Sequence, residues 1–188
     1  MCAKRYGADA SFLRDAALSS DSAGSWDVVR WVVERFAKQG QRFDTVALLQ
    51  PTSPLRTAED IAAAYRLLEE RKANVVISVC EMEHSPLWSN TLPDDLSMER
   101  FEDPALSDVP RQKLPVYYLM NGAIYLIRTE FLFSGKPVYG EGSYAYIMDR
   151  RHSVDLDEEL DFLLAESIFA SEHKTAAGQE NSDRKGGQ

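Results

Sequence analysis

The segment TVALLQPTSPLR, residues 45–56, decides the fold class. Its first five residues are apolar at nearly every position, which is typical of a strand buried on both faces in a parallel sheet. The polar turn QPTSPLR follows at once, and its two prolines stiffen it. Because ligands in open α/β sheets bind where strands end, this turn is a candidate binding loop. The residues alone favour a simple connecting turn over a binding loop.

Helical and strand patterns alternate around this segment. Residues 25–39 have helical spacing, with Ser25 as the expected N-cap and Gly40 as the terminator. Thr57 and Asp60 predict a capping box for a second helix. Further strands are predicted at 74–79, 121–127 and 145–148, and a final helix at 158–170. Each predicted helix has an apolar stripe that is expected to face the core of the protein. The residues of these stripes are Val28, Val29, Val32, Val33, Phe36, Ile61, Ala64, Tyr65, Leu68, Leu160, Leu163, Leu164 and Ile168.

This order of elements predicts an α/β fold with a mostly parallel sheet. Residues 80–115 are rich in Pro, Asp, Ser and Glu, so we expect a long functional loop or a small excursion from the sheet. Residues 1–172 are predicted to form one domain. The polar range 173–188 is predicted to be a disordered tail.

Composition limits the possible function classes. The chain has 188 residues, of which 44% are hydrophobic and 27% charged, as in an ordinary soluble globular protein. A net charge of -9 argues against a protein that binds nucleic-acid backbones. No apolar run reaches the roughly 18 residues of a membrane span. Two cysteines make no disulfide framework, so a reducing compartment, the cytoplasm, is expected.

A pair of carboxylates, Asp155 and Asp157, lies between a predicted strand and the final helix. Alternate residues of an extended chain point the same way, so both carboxylates can face one site. Such a pair suits Mg²⁺, which proteins usually hold with one or two carboxylates plus substrate phosphates. An aspartate before a helix is also a common N-cap, so the residues alone leave both interpretations open.

Polar groups at other strand boundaries complete the candidate site. Gln50 opens the QPTSPLR turn and offers an amide suited to a base edge or a sugar hydroxyl. Arg111 and Lys113 place cations before the third strand, and arginine is the better clamp for a carboxylate. Asn121 and Gly122 mark a tight backbone position at the start of that strand.

Five motifs, LLQPTSPLR, HSPLW, RQ-x-LP, NGAIY and SVDLDEELDF, follow one another in this order. Together they resemble the acylneuraminate cytidylyltransferases, also called CMP-sialic acid synthetases, over about residues 2–170. The resemblance implies a Rossmann-like sheet of the nucleotide-diphospho-sugar transferase type. It also implies CTP and a nine-carbon 2-keto acid sugar as substrates, Mg²⁺ as cofactor, and a homodimer formed through a small excursion.

Residue roles follow from the same resemblance. Asp155 and Asp157 match the metal-binding aspartates, Gln50 matches a sugar contact, and Arg111 matches the arginine that holds the sugar carboxylate.

The resemblance extends to the pocket wall and the nucleoside. Asn121 and Tyr125 are expected to line the sugar pocket. The stretch SSDSAGS, residues 19–25, resembles the segment that touches the nucleoside, with Ser25 as the expected contact. Val138 and Tyr139 fall where the family sends residues across its dimer interface.

Departures from the family pattern leave the substrate open. Leu119 stands where many members have an arginine, and Trp88 stands where some members have a lysine. Legionaminic and pseudaminic acids are therefore expected as alternative substrates to sialic acid. The family's Gly/Arg/Lys-rich triphosphate loop has no counterpart in residues 1–188. An N-terminally truncated enzyme is therefore expected, incomplete as this chain alone and with weak or undetectable binding of CTP. The alternatives are a 3-deoxy-octulosonate cytidylyltransferase and a non-catalytic remnant that dimerises or binds the acidic sugar.

Overall fold

The computed structural model describes residues 2–9, 12–14, 18, 24–106 and 109–183, with side chains described between residues 4 and 172 of these ranges. The helices are α1 (Cys2–Arg5), α2 (Ser25–Lys38), α3 (Ala58–Glu70), α4 (Thr129–Leu132) and α5 (Glu159–Asp183). The strands are β1 (Thr45–Leu48), β2 (Val75–Glu81), β3 (Tyr118–Arg128) and β4 (Ser143–Ile147). Two compact units share these elements. One comprises Met1–Val46 with Arg128–Pro137, and the other comprises Ala47–Ile127 with Val138–Gln188.

The first unit is built on α2, whose apolar stripe buries Val29 and Val33 as predicted. Arg30 donates through Nε to the carbonyl of Leu132 at 3.1 Å, which ties α2 to α4. The predicted N-cap is wrong by one position. Helix α2 begins at Ser25 itself, and Gly24 occupies the N-cap with extended backbone and no side-chain cap.

The second unit contains most of a four-stranded sheet in the order β1-β3-β2-β4. Strand β2 pairs parallel with β4, with Val75 opposite Ser143. It pairs antiparallel with β3, with Glu81 opposite Tyr118. The prediction of an α/β fold with a mostly parallel sheet is therefore confirmed only in part. The fold contains both helices and strands, but the sheet combines parallel and antiparallel pairs.

The segment between β2 and β3 explains the antiparallel pair. Parallel neighbours need a crossover that returns the chain to the far end of the sheet. Here the backbone N–H of Met82 donates to the carbonyl of Tyr117 at 2.9 Å, so the segment leaves and returns at one end. The expected irregular excursion is confirmed. It carries the short 3-10 helices Pro86–Trp88 and Arg111–Lys113.

Helix α3 covers the sheet and closes the core of this unit. Its start has the predicted capping box, with Thr57 and Asp60 bonded reciprocally. Leu68 is fully buried, and such burial contributes about 2 kcal/mol for a leucine side chain. The core cluster contains Ala64, Leu68, Ala73, Val76, Ala123, Ile124, Leu126 and Met148. The predicted inward position of Tyr65 is wrong, since this side chain is 45% exposed.

Two further burial predictions are wrong. Strand β1 is not buried on both faces, because it lies at a sheet edge and Ala47 is exposed. In α5, Leu160, Leu163 and Leu164 are exposed, since the helix turns Ala165 toward the unit instead.

Helix α5 also extends further than the sequence indicated. Its backbone continues to Asp183, into the range predicted to be a polar tail. The division into a domain and a tail stays a prediction. Within the described residues, none of the helices combines the length and apolar character required to cross a bilayer.

Candidate active site

A cleft of about 680 Å³ opens in the second unit where β2 ends and β3 begins. The loop before α5 and the first turns of that helix form its opposite wall. Its lining carries charges of both signs beside apolar side chains. The lining residues are Cys80, Glu81, Met82, Glu83, His84, Ser89, Leu119, Arg150, Arg151, Ser153, Val154, Asp155, Asp161, Leu164 and Ile168.

Asp155 enters this cleft from a loop that is docked onto the QPTSPLR turn. The backbone N–H of the next residue, Leu156, donates to the carbonyl of Thr52 at 2.8 Å. Oδ1 of Asp155 is buried and has no hydrogen-bond partner among the described residues. A buried acceptor without a donor is unusual in a folded protein and calls for an explanation such as a bound ion.

Gln50 and Asp155 converge on Gly122. The backbone of Gly122 has φ +70°, a left-handed conformation that glycine adopts readily. A Cβ added there would overlap Oε1 of Gln50 and lie 3.9 Å from Oδ2 of Asp155. The bare Cα of Gly122 therefore makes room for the Gln50 amide beside the Asp155 carboxylate, so two of the predicted site residues lie together.

Arg56 fixes the turn that carries Gln50. Its Nη1 donates to the carbonyl of Ala123 at 2.7 Å and to the carbonyl of Gln50 at 3.2 Å. Burial lowers the pKa of Arg56, while the nearby Asp60 carboxylate opposes that shift. The guanidinium is thus directed at backbone carbonyls, and it binds the turn to β3.

Asn121 is buried, with only 4% of its surface exposed. Its Nδ2 donates to Oγ of Ser153 at 2.8 Å and contacts the sulfur of Met148 at 3.4 Å. Its Oδ1 accepts from Oγ of Ser78 at 2.6 Å and from the N–H of Ala123 at 3.3 Å. Both the nitrogen and the oxygen of the Asn121 amide therefore already have hydrogen-bond partners within the protein. The predicted sugar contact of Asn121 stays a prediction, and it would require exchange of one of these bonds.

Tyr125 interacts electrostatically with both Tyr139 and Asp155. Burial raises the pKa of Tyr125, and Tyr139 and Asp155 raise it further. The Tyr125 phenol is therefore protonated at neutral pH and can donate a hydrogen bond. Tyr139 is 57% exposed and lines a second, apolar cavity of about 260 Å³. Its predicted place at a dimer interface stays a prediction.

Asp157 is exposed, and its segment begins α5. The helix start is capped by Asp161, whose Oδ2 accepts from the N–H groups of Asp157 and Glu158 at 2.9 and 2.7 Å. The capping role considered for the aspartate pair thus belongs to Asp161.

Arg111 is not among the residues that line the cleft of Asp155. Arg111 donates to the carbonyl of Glu83 and lines a small separate cavity of about 70 Å³. This small cavity and the cleft of Asp155 have only the lining residues Glu81–Glu83 in common. Ser25 is exposed on α2 in the first unit, and residues 19–23 of the predicted nucleoside segment lie outside the described residues.

Several known proteins similar to this chain are named cytidylyltransferases or CMP-sugar synthases. No family model matches the chain. An N-acylneuraminate cytidylyltransferase of Escherichia coli is 34% identical over 88% of this chain and 38% of that protein. The CMP-N,N'-diacetyllegionaminic acid synthase of Legionella pneumophila is 29% identical over 89% of this chain and 72% of that protein. A post-translational flagellin modification protein B of Campylobacter coli is 28% identical over 93% of this chain and 74% of that protein.

The chain is a homologue of the acylneuraminate-type cytidylyltransferases. The resemblance inferred from the five motifs is thereby confirmed, at modest identity. The relatives named for a sugar divide among N-acylneuraminate, legionaminic acid and pseudaminic acid.

Sequence reasoning missed the basic run that precedes the aspartate pair. Arg150, Arg151 and His152 form a short 3-10 helix, and both arginines line the cleft. Nη2 of Arg150 lies 2.6 Å from Oε2 of Glu83. The hydrogen bond from Arg150 is the main reason that the pKa of Glu83 lies below its usual value. The tripeptide RRH directly before SVDLD was the available signal.

The donor set at Asp155 fits a hard divalent cation. Carboxylate and amide oxygens are the ligands that Mg²⁺ prefers, and the buried Oδ1 of Asp155 is free to supply one. No cluster of three or more His, Cys, Asp or Glu suited to a metal occurs in the part of the chain that the structure describes. Mg²⁺ tolerates such a sparse site because it retains waters and takes oxygens from substrate phosphates.

Proposed function

We propose that this homologue is a cytidylyltransferase that activates a nine-carbon 2-keto acid sugar with CTP. The sugar is of the sialic, legionaminic or pseudaminic type, and the products are a CMP-sugar and pyrophosphate. The convergence of Gln50 and Asp155 on Gly122 supports the proposal, since it places the amide that would bind the sugar beside the carboxylate that would bind the metal. The names of the relatives favour nine-carbon acids over 3-deoxy-octulosonate. A Rossmann-like assignment of the mixed sheet is part of the same proposal.

The reaction is a nucleotidyl transfer. The anomeric C2 hydroxyl oxygen of the sugar attacks the α-phosphorus of CTP and forms a new P–O bond. The bond from that phosphorus to the oxygen bridging to the β-phosphorus breaks, and pyrophosphate leaves with the electron pair. The hydroxyl proton passes to the medium. Catalysis of this kind depends on positioning and on neutralisation of phosphoryl charge.

The residues divide these tasks. Asp155 and Asp157 would hold Mg²⁺, which neutralises charge on the phosphoryl oxygens when bound. Gln50 would orient the sugar through its amide, held in place by the turn that Arg56 fixes. The protonated phenol of Tyr125 would donate a hydrogen bond in the same pocket. On the resemblance, Arg111 would contact the sugar carboxylate from the small cavity that it lines beside this cleft.

The assembly proposed is a homodimer. Exposed apolar side chains on β3 and α5, among them Met120, Leu160 and Leu163, provide surface for an interface. Val138 and Tyr139 would contribute across it. Light scattering after size exclusion measures this directly, and a monomeric mass at working concentration would contradict the dimer.

Release of pyrophosphate tests the activity. The protein is incubated with CTP, Mg²⁺ and, separately, N-acetylneuraminate, a legionaminate, a pseudaminate or 3-deoxy-octulosonate. Release with at least one nine-carbon acid supports the proposal, and Asp155→Ala and Asp157→Ala should nearly abolish that release. Asp94→Ala, in the exposed excursion, is the matched control and should retain the wild-type rate. Sugar binding without pyrophosphate release would contradict the enzyme proposal and favour a non-catalytic binding module.

A further inference from the structure

Three consecutive basic residues, Arg150, Arg151 and His152, form a 3-10 helix three residues before Asp155. A 3-10 helix has three residues per turn, so successive side chains project in three different directions. Arg150 reaches Glu83, with Nη2 2.6 Å from Oε2. Nδ1 of His152 lies 3.0 Å from Oδ2 of Asp60 on the other side. The flanking residues are thus each directed at a carboxylate.

Arg151, between them, has a different environment. Its side chain is exposed and lines the cleft that Asp155 also lines. In the ranges that the structure describes, its guanidinium has neither an ion pair nor a hydrogen bond with the protein, and only its backbone N–H is engaged, by Asp149.

Three other charged residues of the cleft wall, Glu83, Arg150 and Asp161, are engaged within the protein. Glu83 forms an ion pair with Arg150, so one of the two arginines that line the cleft already has a partner. The Asp161 carboxylate accepts two backbone N–H groups at the start of α5. Among the described lining residues, Arg151 is therefore the arginine left available to a ligand. A guanidinium presents a planar fork that matches a carboxylate or a phosphate in a bidentate manner.

We propose that Arg151 is a substrate-binding residue that takes an oxyanion of the substrate in the Asp155 cleft. The oxyanion is the carboxylate of the acidic sugar or a phosphoryl group of the nucleotide, two sources of the same chemistry. The identity of these substrates rests on the proposed function. The anion site itself rests on the geometry of the cleft.

Arg151 acts beside Asp155 and complements it. A carboxylate alone repels an anionic substrate, and a cation on the same wall offsets that repulsion. The position also differs from that of Arg111, whose guanidinium is bonded to the Glu83 carbonyl and lines the separate small cavity.

The test compares Arg151→Gln, Arg151→Lys and Arg66→Gln. Arg66 is an exposed arginine on α3, paired with Glu59, so its replacement changes the net charge equally outside the cleft. KM is measured for the sugar at saturating CTP and for CTP at saturating sugar. Loss of a charge-assisted hydrogen bond should raise one of these constants about 10-fold or more in Arg151→Gln. Arg151→Lys, which keeps the charge but not the fork, should lie between wild type and Arg151→Gln.

The KM values for the two substrates, the sugar and CTP, identify which of them supplies the oxyanion. A rise confined to the sugar constant assigns the carboxylate, and a rise confined to the CTP constant assigns the phosphate. Both constants within about twofold of wild type would overturn the inference and leave Arg151 a solvated surface arginine.

A binding measurement separates this inference from the proposed function. Calorimetric titrations with N-acetylneuraminate and with CTP, each alone, need no turnover. If the wild type binds a probe without forming a CMP-sugar, the proposed function fails, while weaker binding by Arg151→Gln still supports the anion site. If the wild type turns over normally and Arg151→Gln binds both probes equally well, the anion site alone fails. Binding of neither probe by an inactive wild type overturns both.

Discussion

The side-chain amide of Asn121 donates to the hydroxyl of Ser153 at 2.8 Å, across 32 residues of sequence. Ser153 in turn donates to the carbonyl of Asp149 at 2.6 Å. These bonds join β3 to the loop that carries Asp155, two residues beyond Ser153. The hydrogen bond between Asn121 and Ser153 thus connects β3, an inner strand of the sheet, to the loop that carries the candidate metal ligand.

Asn121→Ala should lower the free energy of unfolding by about 2 to 3 kcal/mol, measured by urea denaturation. The change removes the hydrogen bonds of the buried amide to Ser78, Ala123 and Ser153, and each hydrogen bond contributes about 0.5 to 1.5 kcal/mol net. Asn90→Ala, whose amide is exposed in the excursion, is the control and should cost less than about 1 kcal/mol. Unchanged stability with a raised KM for the sugar would instead make Asn121 a sugar contact and not a structural tie.

Gly122→Ala should reduce both stability and sugar binding. The left-handed backbone at φ +70° costs a residue with a Cβ about 1 to 2 kcal/mol, and the new atom displaces the Gln50 amide. Gly135→Ala is a matched control, because Gly135 has φ +73° and an added Cβ would meet nothing within 4 Å.

The two variants separate strain from function. Both should lose similar stability in thermal unfolding, whereas only Gly122→Ala should raise the KM for the sugar. Equal KM values for the two variants would show that the amide of Gln50 is not used in binding.

Mg²⁺ should raise the melting temperature of the wild type and have little effect on Asp155→Asn. Ligands that bind the native state stabilise it in proportion to their occupancy, and the variant loses the carboxylate that anchors the cation. Without Mg²⁺, Asp155→Asn should be at least as stable as the wild type, because a neutral amide replaces a carboxylate that has a buried oxygen without a donor. Asp94→Asn should respond to Mg²⁺ as the wild type does. An equal Mg²⁺ response in Asp155→Asn would place the cation elsewhere.

Features that depend on a few neighbouring residues could be predicted from the sequence. The capping box of Thr57 and Asp60 spans four residues, and it forms as expected. The stripe of α2 depends on helical spacing alone, and Val29 and Val33 are buried as expected. The placement of Gln50 and Asp155 also followed, because both sit where an element ends.

Features that depend on distant neighbours could not be predicted. The apolar run of β1 indicates a strand, but it does not show that Ala47 is exposed. Leucines in α5 indicate an amphipathic helix, but not which face meets the rest of its unit. Whether Arg150 or Arg151 faces a ligand depends on Glu83, more than 60 residues earlier in the chain and brought near by the sheet.

Acid should weaken the fold partly through Asp60. Burial by itself would raise the pKa of Asp60, but hydrogen bonds from the Thr57 hydroxyl and backbone, with His152 and Tyr146, outweigh it and hold the pKa below its ordinary value. Because the folded pKa lies below the unfolded one, the ionised carboxylate stabilises the fold above about pH 4, the usual aspartate pKa. That contribution disappears as the pH falls through the lower folded pKa.

Asp60→Asn should therefore be less stable than the wild type near neutral pH, and the difference should shrink as the solution is acidified below about pH 4. The measurement is the urea midpoint of both proteins across this range. Asp95→Asn, in the exposed excursion, supplies the control, and its small difference from wild type should vary little with pH. A wild-type advantage over Asp60→Asn that persists undiminished in acid would show that the contacts of Asp60 stabilise the fold through geometry and not through its charge.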